Sequence, residues 1–167
     1  MYPILPRPRL LHPTLAVLAL ATIAAACAPN AAMLRSPLAV HLAEQPEGQG
    51  ARRMAHYCDP NGACHVGVEA VLDERDVNSV ALNRGEGRLT LNLRLNRRGL
   101  DRLAVIAQGS SAAGRLTLVV DDKAIEASRV EEATRTGSIV VTGPIEPMQR
   151  LYDVLTTPHA EPAPPRD

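Results

Sequence analysis

The sequence predicts an α+β fold: a largely antiparallel sheet with two amphipathic helices packed on it, preceded by a β-hairpin. Three observations lead there. Residues 89–96, L-T-L-N-L-R-L-N, alternate without a fault, so Leu89, Leu91, Leu93 and Leu95 share one face of a half-buried strand. Leu100, Leu103, Ile106 and Ala107 then recur at helical spacing. The remaining apolar runs are short and joined by turn residues, with helices interspersed, which is α+β patterning.

In chain order, Leu38–Leu42 reads as a strand and E-Q-P-E-G-Q-G after it as a turn. Arg53–Tyr57 and His65–Val71 flank a turn and form the hairpin. Asp73–Asp76 makes a turn or a single helical turn. Asn78–Leu82 is a strand closed by N-R-G-E-G, and the leucine strand follows. Arg98–Gln108 is the first helix, stopped by Gly109. S-S-A-A-G is a connection. R-L-T-L-V-V (115–120) is a buried strand with D-D-K as its turn, and Ala124–Ser128 and Ser138–Thr142 are further strands. Pro147 suits the first turn of a last helix carrying Met148, Leu151, Tyr152 and Leu155 on one side.

The N-terminus addresses compartment. Arg7 and Arg9 precede an uncharged apolar run, Thr14–Ala26, that ends in small residues before Cys27. That is the pattern of a secretory signal peptide over residues 1–26, and the run is shorter than the roughly 20 apolar residues needed to span a bilayer. Two processing routes fit. Ala24-Ala25-Ala26 satisfies the small-x-small rule for ordinary cleavage. The same residues followed by Cys27 resemble a bacterial lipobox, with Ala24 where leucine is usual. Cysteine parity favours the second route. The chain has three cysteines, an odd count for an oxidising compartment, and lipidation of Cys27 leaves Cys58 and Cys64 as a pair. The resulting acyl chains would suffice for a stable membrane anchor. Ala28 after the cysteine points to the outer membrane by the usual lipoprotein sorting rule. The chain is therefore expected on the periplasmic side of the cell envelope. Residues 27–37 read as a lipidated tether, 38–157 as one domain, and 158–167, with four prolines, as a disordered tail.

Composition narrows the function classes. Removing the two arginines of residues 1–26 leaves 16 basic side chains against 18 acidic ones, a net charge of −2. A nucleic-acid surface would need a basic excess, so no nucleic-acid partner is expected. Phe and Trp are absent, and Tyr57 and Tyr152 are the only tyrosines after the signal. Stacking platforms and aromatic cages are therefore not expected.

Residues 56–65, H-Y-C-D-P-N-G-A-C-H, carry the densest chemistry. As a metal site, His56, Cys58, Cys64 and His65 offer ligands suited to zinc or copper. In extended strands, however, Cys64 and His65 point to opposite faces, so all four cannot converge without distortion. The C-x-x-C-H of haem attachment and the C-x-x-C of redox sites are both absent. D-P-N-G fits a type I turn, with Asp59 first, Pro60 second, Asn61 third and Gly62 fourth. Such a turn predicts a Cys58–Cys64 disulfide across the hairpin, contributing about 2 kcal/mol in the chain-entropy model. No metal and no cofactor is expected.

Four segments, in order, are similar to a known family. V-L-D-E-R-D-V-N-S-V (71–80), L-N-L-R-L-N-R-R-G-L-D-R-L (91–103), G-R-L-T-L-V-V-D-D-K-A-I-E-A-S-R-V (114–130) and G-S-I-V-V-T-G-P-I-E-P-M-Q-R-L (137–151) resemble the head part of the large periplasmic domain of SecD, an accessory subunit of the bacterial protein-export machine. The resemblance covers about residues 71–155. Asp122 replaces a turn glycine, Ser128 replaces a proline after Ala127, and Pro144-Ile145 stand where a longer connection is usual. The chain lacks the transmembrane helices with which SecD couples proton flow to movement, so the resemblance implies a detached head-like domain and not a motor.

No catalytic constellation is evident. Gly109-Ser110-Ser111 does not complete a nucleophile motif. The acid pairs Asp73/Asp76, Asp121/Asp122 and Glu131/Glu132 read respectively as unassigned, as turn chemistry and as a solvated strand face. The expected function is that of a non-enzymatic envelope lipoprotein, anchored through Cys27 and binding a protein or peptide partner linked to protein export. The alternatives are a structural lipoprotein without a ligand, or a metal-binding periplasmic protein using the 56–65 cluster.

Overall fold

A computed structural model describes residues 31–44, 50–109 and 114–157. The signal segment 1–26, Cys27, most of the S-S-A-A-G connection and the tail 158–167 lie outside the described residues. Among the described residues, nine strands and three α-helices follow in the order β1 (Ala31–Ala32), β2 (Ala39–Ala43), β3 (Arg52–His56), β4 (Ala63–Asp73), β5 (Val77–Arg84), β6 (Arg88–Leu95), α1 (Arg97–Ala107), β7 (Arg115–Val120), β8 (Lys123–Arg129), α2 (Val130–Thr136), β9 (Ser138–Pro144) and α3 (Ile145–Thr156). A single 3-10 turn, Glu74–Asp76, joins β4 to β5. The fold class is α+β, as patterning predicts.

The strands make two sheets where one was expected. The first is open, in the order β1-β5-β6-β9; the second closes into a barrel, β2-β4-β3-β8-β7. Among the described residues every pairing is antiparallel except that of β3 with β8, where Ala55 and His56 lie beside Lys123 and Ala124. The expected hairpin forms as β3 and β4. It does not precede the sheet as a separate unit, however, but supplies two staves of the barrel. Local patterning cannot show this, because closure depends on a short parallel contact between strands some seventy residues apart.

Leucine alternation in β6 survives intact. Leu89, Leu91, Leu93 and Leu95 are all buried against the helices, while Thr90 and Arg94 face outward. Leu103 on α1, with Met148, Leu151 and Leu155 on α3, completes that core. Leu100, expected on the same helical face as Leu103, remains 36% exposed. The barrel strand β7 is shared between two clusters. Leu116, Leu118 and Val120 face the large core, whereas Val119 joins Met54, Cys64, Val66, Ala124 and Ala39 in a small cluster drawn from all five barrel strands.

Two further expectations are corrected. Glu131 and Glu132, read as a strand face, form the first turn of α2, which Gly137 ends in the left-handed conformation at φ 71°. Only Val130 and Ala133 of this seven-residue helix are buried, so it carries no apolar stripe long enough to read. Residues 31–37, read as tether, are built into the domain. Ala31 and Ala32 pair with Ala81 and Val80. The Arg35 N–H donates to the Leu155 carbonyl at 2.8 Å, and the Ser36 hydroxyl donates to the Val154 carbonyl. The segment thus supplies donors for the last carbonyls of α3, which have no partner within the helix.

Candidate functional site

Two places concentrate ionisable and polar side chains. The first is the joint between the Glu74–Asp76 turn and the start of α1. Asn96 caps α1: its Oδ1 accepts from the Gly99 N–H at 3.0 Å, and its Nδ2 donates to the Arg75 carbonyl. The Asn96 N–H in turn donates to the Asp76 carbonyl at 2.9 Å. Asp73 and Asp76 close a capping box on the other side, with the Arg75 N–H donating to Asp73 Oδ1 and the Asp73 N–H donating to Asp76 Oδ2. Two helical neighbours, Arg98 and Arg102, then reach back over both carboxylates.

Asp76 is fully buried. Arg102 Nη1 donates to its Oδ2 at 2.6 Å and to Asp73 Oδ2 at 3.3 Å. Arg98 Nε lies 3.1 Å from Asp76 Oδ1, an ion contact without the alignment of a hydrogen bond, and Arg98 Nη2 donates to Asp73 Oδ2 at 3.3 Å. Partial burial pushes the Asp73 carboxyl upward. The Arg75 N–H and the two guanidinium groups outweigh that and hold it below the ordinary value. Buried and in contact with arginine at both oxygens, Asp76 presents no free carboxylate to a substrate. This acid pair therefore makes a structural joint.

The second place is the hairpin tip. The Gly62 N–H donates to the Asp59 carbonyl at 3.0 Å, closing the four-residue turn that D-P-N-G predicts, and Asp59 Oδ1 accepts from the Asn61 N–H. His56, weighed in the sequence as a metal ligand, has another partner: its Nδ1 accepts from the N–H groups of both Cys58 and Asp59, at 3.1 and 3.0 Å, and so caps the turn.

Cys58 and Cys64 are both free thiols in the structure, where the sequence predicts a disulfide between them. The register explains the difference. Met54 stands opposite Cys64, and Arg53 opposite His65. After His56 the chain leaves β4, and the Tyr57 N–H donates to the Ala124 carbonyl of β8 at 2.8 Å. That step carries Cys58 away from the β3–β4 ladder toward Gly143 of β9, whose added Cβ would lie 3.3 Å from its Sγ. Cys64 faces into the barrel, with its Sγ 3.6 Å from the Ala124 carbonyl. Burial pushes both thiols above their ordinary value. The four Cys and His side chains do not converge, and among the described residues no three His, Cys, Asp or Glu side chains are placed to share a metal ion.

Sequence reasoning missed a polar pair on the barrel strands. His41 of β2 is buried and stands opposite the fully buried Thr117 of β7. Its Nδ1 lies 2.9 Å from the Gly67 carbonyl and therefore donates to it. The signal was available in A-V-H-L-A, whose alternation sets His41 on the face opposite to Val40 and Leu42.

No family model, no curated protein and no solved structure matches the chain. Among the described residues, no helix is long and apolar enough to cross a membrane.

Proposed function

We propose that this chain is a non-enzymatic lipoprotein of the bacterial cell envelope, anchored through Cys27 on the periplasmic side of the outer membrane. Its domain, similar to the SecD head, binds a protein or peptide partner linked to protein export. The observation that carries the reading is the ordered set of segments resembling that head, preceded by Arg7, Arg9, an uncharged apolar run and A-A-A-C.

One feature of the packing supports it. Asp76, in the first of those segments, lies more than twenty residues before Gly99 and Arg102 of the second, yet the two segments meet in a single joint, where Arg102 binds Asp76 and Gly99 rests on its backbone.

Radiolabelled palmitate added to producing cells tests the anchor: the protein should take up label, and Cys27→Ala should abolish it and release the protein from membranes. In-cell photo-crosslinking from exposed positions of the domain tests the partner. Adducts with export-machinery subunits or nascent exported chains are expected; their absence across the surface would leave a structural lipoprotein and overturn the binding role.

A further inference from the structure

Because residues 31–37 are part of the domain, only residues 28–30 separate Cys27 from Ala31. Four Cα–Cα steps at 3.80 Å reach at most about 15 Å. A domain of this size is wider than that, with a radius of gyration alone of about 13 Å. A lipid at Cys27 therefore cannot hold the domain at a distance on a loose leash.

We propose that the domain lies directly against the lipid surface, with the corner formed by β1 and the β5–β6 turn facing the bilayer. This rests on the reading that Cys27 is lipidated. The corner follows from topology. β1 is an edge strand of the open sheet and runs antiparallel to β5, with Ala31 opposite Ala81. The chain therefore enters β1 from the end of β5 that carries Arg84, the Gly85–Gly87 turn and Arg88. From Ala81 to Arg84 is three residues, about 10 Å at strand rise, which lies within the reach of the leash.

The diagonally opposite corner is α2. The Val140 N–H of β9, at the other edge of the sheet, donates to Ser128 just before α2, and the Gly137 carbonyl just after α2 accepts from the Leu95 N–H at the far end of β6. Three strand spacings of about 4.8 Å and the length of an eight-residue strand separate the two corners. Glu86 on the turn and Glu132 on α2 are both exposed, so each can carry a probe without disturbing packing.

A fluorophore introduced through a non-canonical amino acid at position 86 or 132 of the full chain, with all cysteines native, tests the orientation. The purified lipoprotein is placed in vesicles containing headgroup-nitroxide lipids. At least two-fold stronger quenching is expected at 86 than at 132. A 12-residue Gly/Ser insertion after Ala28 should remove that difference. Equal quenching at both positions, or stronger quenching at 132, in protein shown by mass to carry acyl chains on Cys27 overturns the orientation alone. An unacylated Cys27 overturns the anchoring on which it rests.

Discussion

The Cα of Gly99 sits so close to Asp76 that an added Cβ would lie 2.5 Å from the Asp76 carbonyl oxygen. That oxygen already accepts from the Asn96 N–H, so it is backbone pinned at both ends of the joint and cannot swing aside. Gly99→Ala should therefore destabilise the domain by about 1–3 kcal/mol, the usual range for overpacking. This would occur despite the gain of up to about 1 kcal/mol that alanine brings to a helix interior. Urea unfolding monitored by far-ultraviolet circular dichroism measures it. A neutral or stabilising result would mean that the turn moves freely over α1.

Asp76 and Asp73 share the same arginines but differ in exposure, and their variants should separate accordingly. Removing fully buried Asp76 takes the inner partner from Arg98 and Arg102 and the acceptor from the Asp73 N–H, and Asp76→Ala should cost about 1.5–3 kcal/mol, since both arginines reach solvent. Asp73→Asn should cost about 1 kcal/mol or less, since its pairs are partly solvated. Asp73 also sets an acid limb. Its folded-state value lies below the ordinary 3.8, so its contribution is complete above about pH 4 and is lost as pH falls through the lower folded value. Below about pH 4, denaturation midpoints should fall less steeply in Asp73→Asn than in the parent chain.

The β7–β8 hairpin turns on two residues, Asp121 at φ 48° and Asp122 at φ 59°, with Val120 paired to Lys123 on either side. Both lie in the left-handed region that a two-residue type I′ turn demands, where glycine fits without strain at the second position. Asp122→Gly should raise stability by about 0.5–1 kcal/mol, as the left-handed penalty for a side chain is roughly 1–2 kcal/mol and glycine returns part of it as chain entropy. Thermal midpoints decide this, with Asp122→Ala expected to move in the opposite direction.

The two thiols govern the alkaline side. Burial lifts both above their ordinary value of 9.0, Glu126 adding to the shift at Cys64 while Arg150 and Arg88 oppose it at Cys58. The unfolded chain then ionises first, so stability that is full below about pH 9 is lost as pH rises further. Tyr57 contributes in the same sense from above pH 10, burial being its main cause. Cys58→Ser with Cys64→Ala should flatten the limb between pH 9 and 10 and leave the tyrosine part. Intact mass of exported protein adds a second reading: a chain two hydrogens lighter, with the alkaline limb appearing only after reduction, would mean that Cys58 and Cys64 close in the envelope.

What the sequence determined by itself was local. Leu89 to Leu95 and the apolar side of α3 each carry their period within seven to twelve residues, and backbone sterics convert such a period directly into an element with one buried face. D-P-N-G determined its own turn for the same reason. The tertiary structure decided everything that depended on a distant partner. Whether β3 closes on β8 rests on two residues, Ala55 and His56, meeting Lys123 and Ala124, and that closure draws Cys58 off the ladder. Whether A-A-M-L-R-S-P is tether or domain rests on unpaired carbonyls at the end of α3, which the segment itself does not contain. Whether Asp76 is a surface acid or a buried keystone rests on two arginines more than twenty residues downstream. Hydrogen-bond satisfaction and charge pairing are properties of pairs, and a linear pattern shows only one member of each.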